Sequence, residues 1–201
     1  MSDQASHDAA QPVPTLNIAN VLTTIRIIMV PFFIWALFAD ESTYGLWRWI
    51  ALALFVLAMY TDKLDGDLAR SRGLITNFGK IADPIADKLL TGSALVSLSI
   101  LVELPWWVTL TILIREWGIT LLRVVVIRYG VIPANMGGKI KTVMQAVVIG
   151  LYLLPWTHTI EWLYTVSWWL MLATVAVTVV TGIEYIFKAV AVRTAYKKNA
   201  E

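Results

Sequence analysis

Residues 61–88 read TDKLDGDLARSRGLITNFGKIADPIADK, and they join two apolar runs, WRWIALALFVLAMY at 47–60 and LLTGSALVSLSILV at 89–102. The stretch sets Asp62, Asp65, Asp83 and Asp87 at the ends of segments long enough to cross a bilayer. A lone carboxylate at the centre of a membrane helix costs roughly 2.5–3.5 kcal/mol even on lenient insertion scales, and carboxylates kept at or inside the boundary are functional by default.

The rest of the chain sets the context for these four side chains. Of its 201 residues, 58% are hydrophobic and 15% charged, and the mean hydropathy is +0.70, too apolar for a soluble domain. Cysteine is absent, which excludes disulfides, thiolate metal sites and cysteine nucleophiles. Residues 1–15, MSDQASHDAAQPVPT, are polar and lack the basic start and cleavage pattern of a signal peptide, so a disordered cytoplasmic tail is expected there. Six stretches satisfy the apolar length of a spanning helix, at about 20–39, 46–66, 83–102, 106–128, 140–155 and 161–187. The intervening segments, such as ADESTYG and RYGVIPANMGGK, carry loop composition. The predicted class is therefore an all-α integral membrane protein with six transmembrane helices and both termini cytoplasmic. Its catalytic domain would span 16–190, with a basic cytoplasmic tail at 191–201.

Charge orients the bundle. Lys63, Arg70, Arg72, Lys80 and Lys88 fall on the side that also receives Arg128, Lys139, Lys141, Lys188, Arg193, Lys197 and Lys198, which makes that side cytoplasmic. The opposite loops hold Asp40, Glu41, Glu103 and Glu161, with Arg48 as the basic exception. Trp47, Trp49, Trp106, Trp107, Trp156, Trp162, Trp168 and Trp169 gather toward those outer ends, as interfacial anchors do.

If the second span stays helical through its polar end, Asp62 and Asp65 are i and i+3 on one face. If the third begins near residue 82, Asp83 and Asp87 are i and i+4, and two helices bring four carboxylates together. Such a group cannot stay fully ionised without positive charge between its members. All-oxygen ligation suits Mg²⁺ or Mn²⁺, and four aspartates can bridge two ions. Gly66 and Gly79 remove side chains where a backbone must approach something bulky, and Arg70 offers a fork for phosphate oxygens. Neutralisation of the neighbouring lysines and arginines in a solvated loop is the structural alternative.

A second constellation lies further on. Arg115 and Glu116 sit well inside the fourth span and Arg123 is eight residues beyond Arg115, roughly on the same face. Mutual pairing of Arg115 and Glu116 as a clamp is one reading. Arg123, Lys139 and Lys141 form a cationic group suited to a phosphate on a second substrate. GGKIKT is not a phosphate-binding loop of the P-loop type, since Ile140 stands where Ser or Thr must follow the lysine and no strand precedes it.

The pattern Asp62-x2-Asp65-Gly66-x2-Ala69-Arg70-x8-Gly79-x3-Asp83-x3-Asp87 resembles, without a departure, the signature of the CDP-alcohol phosphotransferase family of integral membrane enzymes, with eight fixed positions over 26 residues. The resemblance implies a six-helix, usually dimeric fold with a two-metal site at the cytoplasmic surface of the cell membrane. It implies that Asp62, Asp65, Asp83 and Asp87 are ligands of two Mg²⁺ or Mn²⁺ ions, and that Asp87 is also the general base. Gly66, Ala69, Arg70 and Gly79 would hold the CDP moiety of CDP-diacylglycerol. NVLTTIR, at 20–26, resembles the family's first-helix motif and adds Asn20 and Thr23, with Thr76 from the loop after Arg70. A helix cap and a surface hydroxyl are the structural alternatives for Asn20 and Thr23.

Arg115-Glu116, Arg123, VIPAN and GKIKT followed by Gln145 resemble the branch of the family that makes phosphatidylglycerophosphate. By that resemblance Arg123, Lys139 and Lys141, with Arg115, bind the phosphate of sn-glycerol 3-phosphate. The implied reaction transfers the phosphatidyl group from CDP-diacylglycerol to that alcohol and releases CMP, in a homodimer within the lipid and with no nucleic-acid partner. Sister activities, phosphatidylinositol phosphate synthase and cardiolipin synthase, are the alternatives within the fold. A divalent-cation transporter would need its carboxylates near the midplane.

Overall fold

The computed structural model describes residues 17–71, 76–127, 129 and 136–198. Among these the chain forms seven helices and no strand: α1 Ile18–Ala39, α2 Leu46–Ser71, α3 Asn77–Ile100, α4 Trp106–Val126, α5 Met136–Leu153, α6 Pro155–Thr159 and α7 Glu161–Lys198. The expected tail at 1–15 lies outside the described residues, as do Arg72 and Arg128.

All six expected helices are present, with polar extensions that an apolar length criterion cannot see. α2 runs five residues past the expected end at 66, to Ser71, and α3 starts at Asn77 instead of near 82. Thr76 starts α3 early, because its hydroxyl caps the helix by accepting from the Gly79 N–H at 3.0 Å. α5 begins at Met136, inside the segment expected to be a loop, and α7 continues through most of the basic segment to Lys198. The short α6 was not expected. Two helical stretches, Asn20–Ala39 and Glu161–Thr194, are long and apolar enough to cross a membrane by length and composition.

α1 packs chiefly against α2 and α3, α7 lies along α4 and α5, and α5 also reaches α2 and α3. The core inside this bundle is built from side chains such as Phe33, Leu37, Phe55, Leu95, Leu98, Ile112 and Ile149. The outer faces are also apolar: Phe32, Trp35, Ile114, Leu121, Val124, Val180 and Phe187 are exposed, the reverse of what a water-facing helix shows. Three hydroxyls of α7 are satisfied locally, as Ser167, Thr174 and Thr181 donate to the carbonyls of Leu163, Leu170 and Val177 at 2.8, 2.8 and 2.7 Å.

At the end of the bundle away from the aspartates, the basic exception Arg48 is fully buried. It pairs with both oxygens of Glu103, donates to the Tyr152 and Leu153 carbonyls at 2.8 and 3.2 Å, and lies 3.2 Å from His158 Nε2. One guanidinium thus ties the start of α2 to the α3–α4 turn and to the end of α5. Asp40 closes the neighbouring turn by accepting from the Tyr44 and Gly45 N–H groups, both at 2.9 Å. The Tyr44 ring stacks on His158, and burial, then the Glu103 charge, raises its hydroxyl above the usual phenol value so that it stays neutral. Trp49 and Trp156 meet edge to face at this end, as do Trp107 and Trp168.

Candidate active site

The N-terminal part of α1, the polar end of α2 and the start of α3 converge at the other end. Asn17 caps α1 by accepting from the Asn20 N–H at 3.0 Å, so Asn20 is not the cap. Instead the Asn20 amide and the Thr76 hydroxyl bond each other, at 2.8 Å from Nδ2 and 3.1 Å to Oδ1, which ties α1 to the start of α3. Gly79 is required there by space: a Cβ at that position would sit 2.9 Å from Asn20 Oδ1 and 3.3 Å from Thr76 Oγ1.

Thr23 is no surface hydroxyl. It is buried, and its Oγ1 lies 3.2 Å from Asp65 Oδ2 and 2.8 Å from Asp83 Oδ1, so one hydroxyl bridges the carboxylates of two helices. One turn further along α1, the fully buried Arg26 donates from one terminal nitrogen to Asp62 and from the other to Asp65. Arg26 was absent from the predicted site. The signal was available, since a single guanidinium seven residues into an apolar span needs a buried partner.

Asp62, Asp65 and Asp83 are thus drawn together by groups from α1. Asp87 lies one turn beyond Asp83 on α3, next in the chain to Lys88. Among the described residues no three acidic side chains stand close enough to hold one metal ion as they are. The donor set nevertheless fits a hard divalent cation. It is all oxygen, two of its members converge on one hydroxyl, and a cationic group already lies between Asp62 and Asp65. Gly66 follows Asp65 within α2 and is partly exposed. Ala69 and Arg70 belong to the same helix, but their side chains lie outside the described set.

The predicted cationic group exists as a cavity of about 520 Å³ bounded by α4, α5, α7 and Lys88 of α3. Arg115, Arg123, Lys139 and Lys141 all line it, joined by Lys88 and Lys188, against the two acids Glu116 and Glu184. Arg115 and Glu116 do pair, at 3.0 Å, but not in isolation. Arg115 also donates to the Thr178 carbonyl and the Thr181 hydroxyl of α7 at 3.1 and 3.0 Å. Glu116 also receives Lys141. Gly182 lets Arg115 lie across α7, since a Cβ there would touch Arg115 Cγ at 3.0 Å. The Arg123 guanidinium lies 5.7 Å from the centre of the Tyr185 ring. The contribution of α7, through Tyr185, Glu184 and Lys188, was missed because the last helix has no motif. Glu184 and Lys188 stand one turn apart and pair at 2.6 Å.

With this arrangement in view, comparison with known proteins is decisive. The family model described as CDP-alcohol phosphatidyltransferase matches residues 16–180. The chain belongs to the CDP-alcohol phosphatidyltransferase family. It is a transferase of phospholipid biosynthesis and a membrane protein. A Mycobacterium tuberculosis protein named probable phosphatidylglycerophosphate synthase is 50% identical over 173 residues, which are 86% of this chain and 81% of that protein. A Bacillus subtilis CDP-diacylglycerol–glycerol-3-phosphate 3-phosphatidyltransferase is 39% identical over 149 residues, 69% of this chain and 77% of its own. The Rickettsia felis protein of the same name is 36% identical over 178 residues, 86% and 94% of the two chains.

Proposed function

We propose that this enzyme transfers the phosphatidyl group of CDP-diacylglycerol to sn-glycerol 3-phosphate, giving phosphatidylglycerophosphate and CMP. The observation that carries this reading is that α3 bears both Asp83, whose carboxylate meets Thr23, and, one turn on, Asp87 next to Lys88, which lines the cationic cavity of Arg123, Lys139 and Lys141. The names of the relatives support the same donor and acceptor.

In this reading Asp62, Asp65, Asp83 and Asp87 hold a pair of divalent ions. When bound, these ions neutralise the donor pyrophosphate and the departing CMP. Asn20, Thr23, Gly66, Ala69, Arg70, Thr76 and Gly79 serve the nucleotide side. Thr23 keeps Asp65 and Asp83 aimed at a common point, and the Asn20–Thr76 pair with Gly79 keeps the start of α3 close to α1. Arg123, Lys139 and Lys141, with Arg115 held against α7, bind the acceptor phosphate and leave the primary hydroxyl toward Asp87. Asp87 accepts the hydroxyl proton as the oxygen attacks the phosphorus bonded to diacylglycerol, and the bond from that phosphorus to the CMP oxygen breaks. The chain holds no thiol, and the one histidine among the described residues, His158, sits with Arg48 and Glu103 at the other end, so direct displacement is the simplest course.

The membrane arrangement follows the same logic. α1 to α5 without α6, and α7, cross the cell membrane six times with both termini cytoplasmic, since the aspartate end carries Lys63, Lys88, Lys139 and Lys188 while the tryptophans gather at the other. The test is CMP release from CDP-diacylglycerol by purified protein offered sn-glycerol 3-phosphate, glycerol, inositol phosphate or phosphatidylglycerol in turn. Release dependent on sn-glycerol 3-phosphate alone is expected. Preference for inositol phosphate or phosphatidylglycerol would reassign the acceptor within the family.

A further inference from the structure

Arg26 is the group at the aspartate cluster that the proposed reaction leaves unemployed. Its side chain is wholly buried, both terminal nitrogens are engaged by Asp62 and Asp65, and its Nε has no partner among the described residues. A buried guanidinium is stable only where carboxylates offset its lost hydration, and the converse holds for a buried carboxylate. The Asp65 side chain is 4% exposed, and its Oδ2 accepts from Arg26 and from Thr23 at 3.2 Å. One carboxylate oxygen is thus held by two groups of α1.

We infer that Arg26 is a built-in counter-cation, which pairs with Asp62 and Asp65 and offsets part of their charge while no divalent ion is bound, and surrenders that contact when one binds. The inference rests on the reading of the aspartates as metal ligands. A guanidinium and a divalent ion held by the same two carboxylates repel each other in a poorly hydrated site, so the two arrangements compete. The contact is made by the tip of a long side chain, so rotation about its own bonds releases it while α1 keeps its packing on α2 and α3. The device would let the cluster fold and persist in the membrane before metal loading, at the expense of some metal affinity.

The experiment uses the full-length protein in detergent micelles with Mn²⁺ as the probe, comparing wild type, Arg26→Gln and Arg26→Lys. Mn²⁺ affinity is read from loss of the free-ion electron paramagnetic resonance signal, and stability from thermal unfolding in chelator and in saturating Mn²⁺. In chelator, Arg26→Gln is expected to melt well below wild type. Saturating Mn²⁺ should close that gap, and its Mn²⁺ Kd should be at least about tenfold lower than that of wild type, with Arg26→Lys between the two. Recovery of Arg26→Gln only when Mn²⁺ is present throughout purification would also support the inference, with Arg26→Lys then carrying the affinity comparison. A melting deficit that persists in saturating Mn²⁺ would assign Arg26 to plain packing. Weaker Mn²⁺ binding would mean that it orients the ligands of the loaded site. Either result overturns the inference, as does failure to recover both variants with Mn²⁺ present. If wild type itself binds no Mn²⁺, the metal reading of the aspartates falls and this inference with it.

Discussion

Replacing Thr23 by valine removes one hydroxyl and keeps the shape of a buried β-branched side chain. The hydroxyl lies 3.2 Å from Asp65 Oδ2 and 2.8 Å from Asp83 Oδ1. Hydrogen bonds to charged groups contribute about 1.5–3 kcal/mol, which corresponds to roughly 10- to 150-fold in kcat/KM if the loss is felt in the transition state. Two features of the structure argue for the lower part of that range. One proton serves one carboxylate at a time, and the longer of its two contacts, at 3.2 Å to Asp65, is the weaker. The expected loss for Thr23→Val is therefore about 10- to 30-fold in kcat/KM for CMP release. Thr23→Ser, which keeps the hydroxyl and sheds a methyl, should stay within about threefold of wild type on the same reasoning. The assay is CMP release at saturating sn-glycerol 3-phosphate with CDP-diacylglycerol varied, on protein whose melting temperature has been matched to wild type. Full activity in Thr23→Val would refute the bridging role. A serine variant as impaired as the valine one would place the effect in packing instead.

Other consequences are open to measurement. Arg123→Ala and Lys141→Ala should lower kcat/KM for sn-glycerol 3-phosphate by about ten- to a hundredfold while leaving CDP-diacylglycerol affinity nearly unchanged; kinetics with each substrate varied in turn would show the split, and equal damage to both substrates would count against a separate acceptor pocket. Lys139→Ala should follow the same pattern more weakly, because Lys139 is exposed where Lys141 is buried. Arg48→Ala strands the nearly buried Glu103 carboxylate and two carbonyls, so a loss of about 3–5 kcal/mol is expected in unfolding experiments. Pairing Arg48→Met with Glu103→Met should recover most of that loss, and a double variant no more stable than Arg48→Ala would show that the buried ion pair is not the cause.

Much of this arrangement is legible in the residues. Apolar length locates the six long helices because a bundle in lipid must be apolar on both its inner and its outer faces, as Phe33 and Phe32 show side by side on α1. The spacing of Asp62 with Asp65, and of Asp83 with Asp87, puts each pair on one helix face, and α2 and α3 do stay helical through them. Polar helix ends are harder to read: nothing apolar marks Thr76 as the start of α3 or carries α7 on to Lys198. Long-range charge pairing is harder still. Arg26 meets carboxylates 36 and 39 positions away, Lys141 meets Glu116 at a separation of 25, and Arg48 meets Glu103 at 55. Local sequence could read Arg115 and Glu116 as a clamp because they are adjacent. It could not foresee that Glu116 is shared with Lys141 or that Arg115 is seated on α7.

In the proposed reaction Asp87 serves phosphatidyl transfer to sn-glycerol 3-phosphate where the aspartate-bearing start of α3 meets the cationic cavity. That role is tested most directly by following labelled sn-glycerol 3-phosphate into chloroform-soluble lipid, with CMP counted in the same reaction, for wild type and Asp87→Asn that bind Mn²⁺ comparably. Wild type is expected to release one CMP per labelled lipid and to make no lipid without CDP-diacylglycerol, and Asp87→Asn to lose turnover by a factor of at least about 10²–10⁴, the range for removal of a general base. Near-normal transfer by Asp87→Asn, or CMP release by wild type with no label in the lipid, would contradict it.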